Sequence, residues 1–256
     1  METSDMIISY NKLRKSIGWL GLLLPLVIIF GNWLFAFFNV WTCHALVDTC
    51  CSKPYQWTKW IEPTISDSYY TPMGEWFTGC LGSIGLFMFC YKGHSLRPGE
   101  HLSDNFLTNT IGICAFLVAL FPTSASLPEG VKCLTENFRI FQAGEVTNYL
   151  HLSAATLLFV YLGRMSYTNF RRSQKPEDFG KGADDGWFKF FGLVIYACIG
   201  GLLLYKALDA YVPEAIKNLQ PFYILESIAL ISFGLSWLIK GKIDFLYWPK
   251  KLGMAG

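Results

Sequence analysis

The sequence predicts an all-α fold: a polytopic membrane protein, a bundle of six transmembrane helices with both termini cytoplasmic. Three observations lead there. The 256 residues are 52% hydrophobic and only 16% charged, against roughly 25% charged residues in soluble domains. The apolar residues fall into six runs separated by polar loops, and several approach the ~20 residues needed to cross a bilayer. The basic residues segregate between alternate loops. With six crossings, fifteen of the 21 Lys and Arg lie on the side of the termini, among them Lys12, Arg14, Arg171, Arg172 and Lys240. That positive-inside bias over short loops puts both termini in the cytoplasm. The chain reads as one membrane-embedded domain over 1–256, and its net charge of +2 leaves no nucleic-acid footprint.

The elements follow in order. Residues 1–15 form a short amphiphilic lead, and the first span covers about 17–41 with Pro25 inside it. This run is too long for a cleavable leader and is expected to remain as a span. A polar loop over 42–72 precedes the second span, about 74–91, where Gly79, Gly82 and Gly85 recur every third residue. Small residues let helices approach closely in lipid, so these glycines are expected to form a packing stripe. The third span, about 105–121, is stopped by Pro122; the fourth covers about 149–167, the fifth 187–208 and the sixth 222–239.

Folding the runs alternately brings polar residues from distant parts of the chain to one depth. Ser66 and Asp67 precede the second span, His151 opens the fourth, Glu226 opens the sixth, and Asn32 and Asn39 belong to the outer part of the first. An ionisable group in hydrocarbon costs at least ~2.5 kcal/mol on insertion scales, so Glu226 is expected to face the bundle with a partner. His151 could be that partner, or could pair with Asp67. A histidine oriented by a carboxylate, with a hydroxyl nearby, suits acid–base chemistry on a lipid headgroup. The same groups could bind a headgroup or a cation. They could also be structural, with Asp67 capping a turn and His151 bonded to Glu226 only to fix the packing.

Other residues read more plainly. Asp104 and Asn105 look like helix-initiating residues that gain from the macrodipole. The segment from Arg164 to Lys189 looks like a solvated, membrane-facing basic stretch. Cys43, Cys50, Cys51 and Cys133 fall outside, where a disulfide clasp from Cys43 to Cys50 or Cys51, or from one of these to Cys133, is open. Cys80, Cys90, Cys114 and Cys198 lie in spans as small apolar residues. No C-x-x-C pair occurs and histidines number four, so no metal or cofactor is expected.

Short motifs carry a resemblance. Pro63-Thr64-Ile65-Ser66-Asp67, followed by Pro72 and a small-residue-rich span, resembles the entry to the second span in a six-span family. That family holds the damage-regulated autophagy modulators, the yeast Sfk-type proteins and a GPI-anchor lipid-remodelling protein. His151 with Ser153, Ala154 and Ala155 is similar to its later span start, and Glu226 sits where the family has a Glu in its last span. Uncharacterised bacterial membrane proteins show a similar layout. There the matching stretches are Tyr10, Leu13, Arg14, Ile17 and Gly18; Ala119 to Thr123; and Phe233, Gly234, Ser236, Trp237, Lys240 and Gly241. The chain departs at Tyr69, where a glycine often stands, and at Ser227, where an aromatic does. The resemblance implies a lipid-related or regulatory membrane role, with no single reaction.

The leading expectation is therefore a membrane protein that binds, senses or remodels a lipid in an outer-leaflet polar pocket lined by Asp67, His151 and Glu226, with Ser66 the next residue. If it is an enzyme, acyl transfer or hydrolysis with His151 as base is expected. The alternatives are a non-catalytic scaffold or regulator acting through its basic tail and its basic inner loop with Arg171, Arg172 and Lys175, and, more weakly, a small transporter or channel, for which the midplane offers almost no ionisable residues.

Overall fold

The computed structural model describes residues 3–38, 60–93, 102–124, 141, 143–172 and 184–241. Six long helices account for most of them: α1 (Thr3–Phe37), α2 (Gly74–Cys90), α3 (Asp104–Leu120), α4 (Glu145–Arg164), α5 (Asp185–Ala207) and α6 (Pro221–Lys240). A 3-10 turn at Ser66–Tyr70 leads into α2, and α4 runs on through a π-helical turn at Met165–Asn169. No strand occurs among the described residues.

Four stretches are long and apolar enough to cross a membrane: Tyr10–Phe37, Glu145–Asn169, Asp185–Ala207 and Glu214–Lys240. They make the chain a multi-pass membrane protein. The helices α2 and α3 are shorter, at 17 residues each.

Local chemistry sets the boundaries. No Pro or Gly interrupts residues 3–16, so α1 starts fourteen residues earlier than the apolar run, and the expected lead is helical. Pro25 lies inside α1, and its carbonyl accepts from the Tyr223 hydroxyl of α6 at 3.3 Å. Ser103 caps α3 by accepting from the Phe106 N–H at 3.1 Å, satisfying one of the orphan donors of a helix start. The helix stops at Leu120, two residues before Pro122, whose ring disfavours helical backbone before it. Pro221 opens α6, a position where its missing N–H costs nothing.

Each helix packs on its neighbours in sequence, and α6 returns to α1 to close a ring. The closure depends on absent side chains. A Cβ on Gly234 of α6 would stand 2.6 Å from the Leu22 nitrogen and 2.7 Å from the Gly18 oxygen of α1. Between α2 and α3 the close pair is Gly85 and Gly112. The expected stripe in α2 is otherwise wrong: Gly79 faces open space, and a Cβ on Gly82 would meet only Phe116 at 3.9 Å. A step of three residues falls about 60° short of a full turn, so glycines at that spacing walk around the helix.

Alternating helix directions give the ring two ends. At one lie the start of α2, the end of α3 and the starts of α4 and α6. At the other, the start of α3, the end of α4 and the end of α6 meet around Asp104. This carboxylate is buried with Arg172, which is ion-paired to it, and it accepts from the Asn169 amide at 2.5 Å. Lys240 of α6 donates to the Phe170 carbonyl at 2.6 Å. Two expectations change here. Asp104 anchors a buried polar network as well as beginning a helix. Arg171 and Arg172 are not solvated charges: Arg171 is ion-paired to Asp185 at 2.6 Å, a bond that pushes its guanidinium up from the usual range, and Arg172 lies within the bundle. Lys175 lies outside the described residues.

Candidate functional site

The opposite end is built on the segment from Pro63 to Tyr70. Thr64 and Asp67 close it with a reciprocal pair of bonds. The Asp67 Oδ2 accepts from the Thr64 N–H at 3.0 Å and from its hydroxyl at 2.9 Å, while the Thr64 Oγ1 accepts from the Asp67 N–H at 3.1 Å. This is capping-box geometry, with each side chain satisfying the other residue's backbone donor. It forces the chain into a 3-10 turn and sets the direction of the Ser66 side chain.

Helix α6 holds the same segment from the side. The Tyr223 N–H, one of the orphan donors at a helix start, bonds to the Pro63 carbonyl at 3.2 Å. One turn deeper, the Glu226 Oε2 accepts from the Ile65 N–H at 2.7 Å. Glu226 is therefore joined to the backbone of the turn, and its expected partner His151 lies elsewhere in the network.

Helix α4 contributes His151, whose side chain is buried, with 1% of the residue exposed. Its Nδ1 lies 2.6 Å from the Phe121 carbonyl oxygen and its Nε2 lies 2.9 Å from the Ser66 Oγ. A carbonyl only accepts, so Nδ1 must carry a proton. In the neutral ring Nε2 then presents a lone pair, and the Ser66 hydroxyl donates to it. The result is a three-part chain: carbonyl, imidazole, hydroxyl. Ser66, at the end of it, is half-buried, and its base is almost wholly shielded.

The Phe121 carbonyl is available because α3 ends there. The last carbonyls of a helix lack internal partners, and Pro122 stops α3 before any later N–H could bond the Phe121 carbonyl. Three side chains take up this exit. Tyr69 donates to the Leu120 carbonyl at 3.5 Å, Tyr70 bonds to the Thr123 carbonyl, and His151 bonds to Phe121. The Thr123 hydroxyl also donates to the Asp67 Oδ1 at 3.4 Å, tying the exit of α3 to the turn.

Ser66, Asp67, His151 and Glu226 thus come together on one short segment, as their depths suggested. Their pairing differs from expectation. Both nitrogens of His151 are occupied by Ser66 and Phe121, so a backbone carbonyl orients the imidazole, and neither carboxylate is needed for it. Asp67 and Glu226 fasten the turn that carries Ser66. Thr64, Phe121 and Thr123 stand in the sequence only as parts of motifs and not as site residues; the Phe121-Pro122 pair is the signal that marks a helix end with free carbonyls.

Two further polar side chains near this end are buried. Asn32 of α1 is 0% exposed, and neither amide atom has a hydrogen-bond partner among the described residues. It follows Gly31, which packs against Met73 beside the turn. The Ser68 hydroxyl is also buried without a partner among the described residues. Groups of this kind in native structures call for a water or a ligand. Asn39, His44, His94, His101, Cys43, Cys50, Cys51 and Cys133 lie outside the described residues, and the clasp proposed between those cysteines lies there too. Of the remaining thiols, Cys80, Cys114 and Cys198 are buried and Cys90 is exposed at the end of α2. No protein-family model matches the chain, and no match is found among curated proteins or solved structures.

Proposed function

We propose that this chain is a six-span membrane protein that remodels a membrane lipid in the outer leaflet, by acyl transfer or hydrolysis at Ser66. The observation that carries the proposal is the Ser66 Oγ at 2.9 Å from a His151 Nε2 whose other nitrogen is held by a carbonyl. Nucleophile, base and orienting group in hydrogen-bond sequence are the general signature of an activated hydroxyl. In the first step the Ser66 oxygen bonds to the ester carbonyl carbon while His151 takes the hydroxyl proton. The imidazolium then returns that proton to the departing alkoxide. Water or a second alcohol attacks the acyl-serine through the same base, which restores Ser66.

Six spans follow if α2 and α3 also cross. At 1.5 Å per residue they extend about 26 Å, against a hydrocarbon core of about 30 Å, a mismatch that local thinning accommodates. The basic residues then place the termini in the cytoplasm and Ser66 at the outer face. A lipid ester is the substrate such a position favours, and the buried amide of Asn32 offers a polar anchor for a headgroup.

The test is covalent. The full chain, purified in a neutral detergent, is treated with a lipid-like fluorophosphonate and digested for mass spectrometry. Labelling on Ser66, lost in Ser66→Ala and in His151→Gln, is expected. Labelling that persists in Ser66→Ala, or its absence from the wild-type protein, rejects a nucleophilic Ser66. His151 would then serve only to cap α3.

A further inference from the structure

Among the described residues, the Asp104 end holds cations that no carboxylate pairs. Arg14 comes from α1, Lys240 from α6 and Arg172 from the residues after α4. Arg172 is paired with Asp104. Arg14 and Lys240 have no ion pair among the described residues. The Arg14 guanidinium lies over the rings of Tyr10 and Tyr91, at 4.5 and 5.7 Å, and bonds to the Asn11 side chain at 3.3 Å. The Lys240 ammonium lies over Phe170 and Phe188, at 5.6 and 5.5 Å, and donates to one carbonyl.

Between these cations sits Trp237, 0% exposed, its ring edge-on to Tyr91 at 5.0 Å and to Phe170 at 4.9 Å. It therefore shares Tyr91 with Arg14 and Phe170 with Lys240, and stands three residues from Lys240 on the same helix. The indole N–H of Trp237 and the Arg14 Nε are buried with no hydrogen-bond partner among the described residues. Tryptophan N–H groups normally find an acceptor when buried, and an unsatisfied buried donor costs about 1–3 kcal/mol. Arg14 and Lys240, on two helices, are thus linked through the rings around Trp237; neither has an ion pair among the described residues, and the Arg14 Nε and the Trp237 N–H lack acceptors there. The Asp104 carboxylate at this end is engaged with Arg172 and Asn169.

We infer that this end of the ring binds a phosphate-bearing anion, held by Arg14, Lys240 and the Trp237 N–H. Arginine forks around phosphate oxygens and lysine meets them as a point charge. Basic pockets between membrane helices are suited to phospholipid headgroups, and a free phosphate compound would present the same oxygens. The site is at the far end from Ser66 and does not depend on the reaction there.

Thermal unfolding of the full chain in neutral detergent tests this, titrated with inorganic phosphate, with short-chain phosphatidic acid and with short-chain phosphatidylcholine. Phosphatidic acid is expected to raise the melting temperature saturably, and phosphatidylcholine to leave it in place. An equal effect of inorganic phosphate identifies a soluble ligand; an effect confined to phosphatidic acid identifies a lipid. Arg14→Gln and Lys240→Gln should each weaken binding on the order of tenfold, the loss of one charge-assisted bond. Trp237→Phe removes the N–H together with part of a fully buried ring, so the free protein should melt lower; its response to the anion, read as the shift from its own unliganded melting temperature, should shrink. Ser66→Ala should respond as wild type. The inference is overturned if neither anion stabilises the protein, if phosphatidylcholine does so equally, or if the three variants bind as wild type does.

Discussion

The two ends of the ring join helices by opposite means. At the Asp104 end the polar groups are charged and shielded, with the Asp104 and Arg172 side chains only 2% and 3% exposed. At the Ser66 end the helices meet through a half-buried turn, a backbone carbonyl and neutral hydroxyls, with one carboxylate on each side of the turn. The first arrangement is costly to disturb, because a buried ion that loses its partner has no solvent to fall back on. The second sets the hydroxyl of a half-buried residue against a buried imidazole. A ring locked at one end can carry the proposed nucleophile at the other without relying on it for its stability.

The strongest way to break this contrast is at Asp104. Asp104→Ala leaves the Arg172 guanidinium buried without its carboxylate and is expected to cost about 3–5 kcal/mol, the usual loss when one member of a buried pair is removed. Equilibrium unfolding of the purified protein in mixed micelles reads it directly. A cost below about 1 kcal/mol, the range of exposed pairs, would mean that water reaches the network and that this end is not locked.

Glu226 sharpens the comparison with an intermediate effect. Glu226→Leu strips the Ile65 N–H of its acceptor, and a buried donor left unmade costs about 1–3 kcal/mol. Glu226→Gln keeps an oxygen in the same place, so most of the stability should return. If Gln fails to rescue, the negative charge itself matters and Glu226 does more than hold the turn. Labelling of Ser66 by a fluorophosphonate should fall in the Leu variant and persist in the Gln variant.

These pairings show where sequence reasoning stops. The helices were legible because long apolar runs and the Phe121-Pro122 and Gln220-Pro221 breaks leave few choices of boundary. The meeting of Ser66, Asp67, His151 and Glu226 was legible too, since alternating helix directions put residues 85 and 161 positions apart in the chain at one depth. What joins them was not. The orienting group of His151 is a main-chain carbonyl, which every residue has, so no residue type marks it. Asp104 does begin α3, but its second role was hidden for a related reason: a carboxylate in the first turn of a helix looks the same whether it faces water or a buried arginine. The α2 glycines misled because counting every third residue ignores the drift of a 3.6-residue turn.

Ser66→Ala should affect chemistry far more than the fold. Removing the hydroxyl leaves the buried Nε2 of His151 without its donor, a loss of about 1–3 kcal/mol, and His151 keeps its bond to Phe121 and so keeps its place. The capping box between Thr64 and Asp67 does not involve the Ser66 side chain, so the turn should persist. Unfolding measurements should therefore put Ser66→Ala well above Asp104→Ala, even as covalent labelling disappears. If the two variants were equally unstable, the hydroxyl would be holding the helices together, and the reactive end of the ring would have to be understood as a second lock.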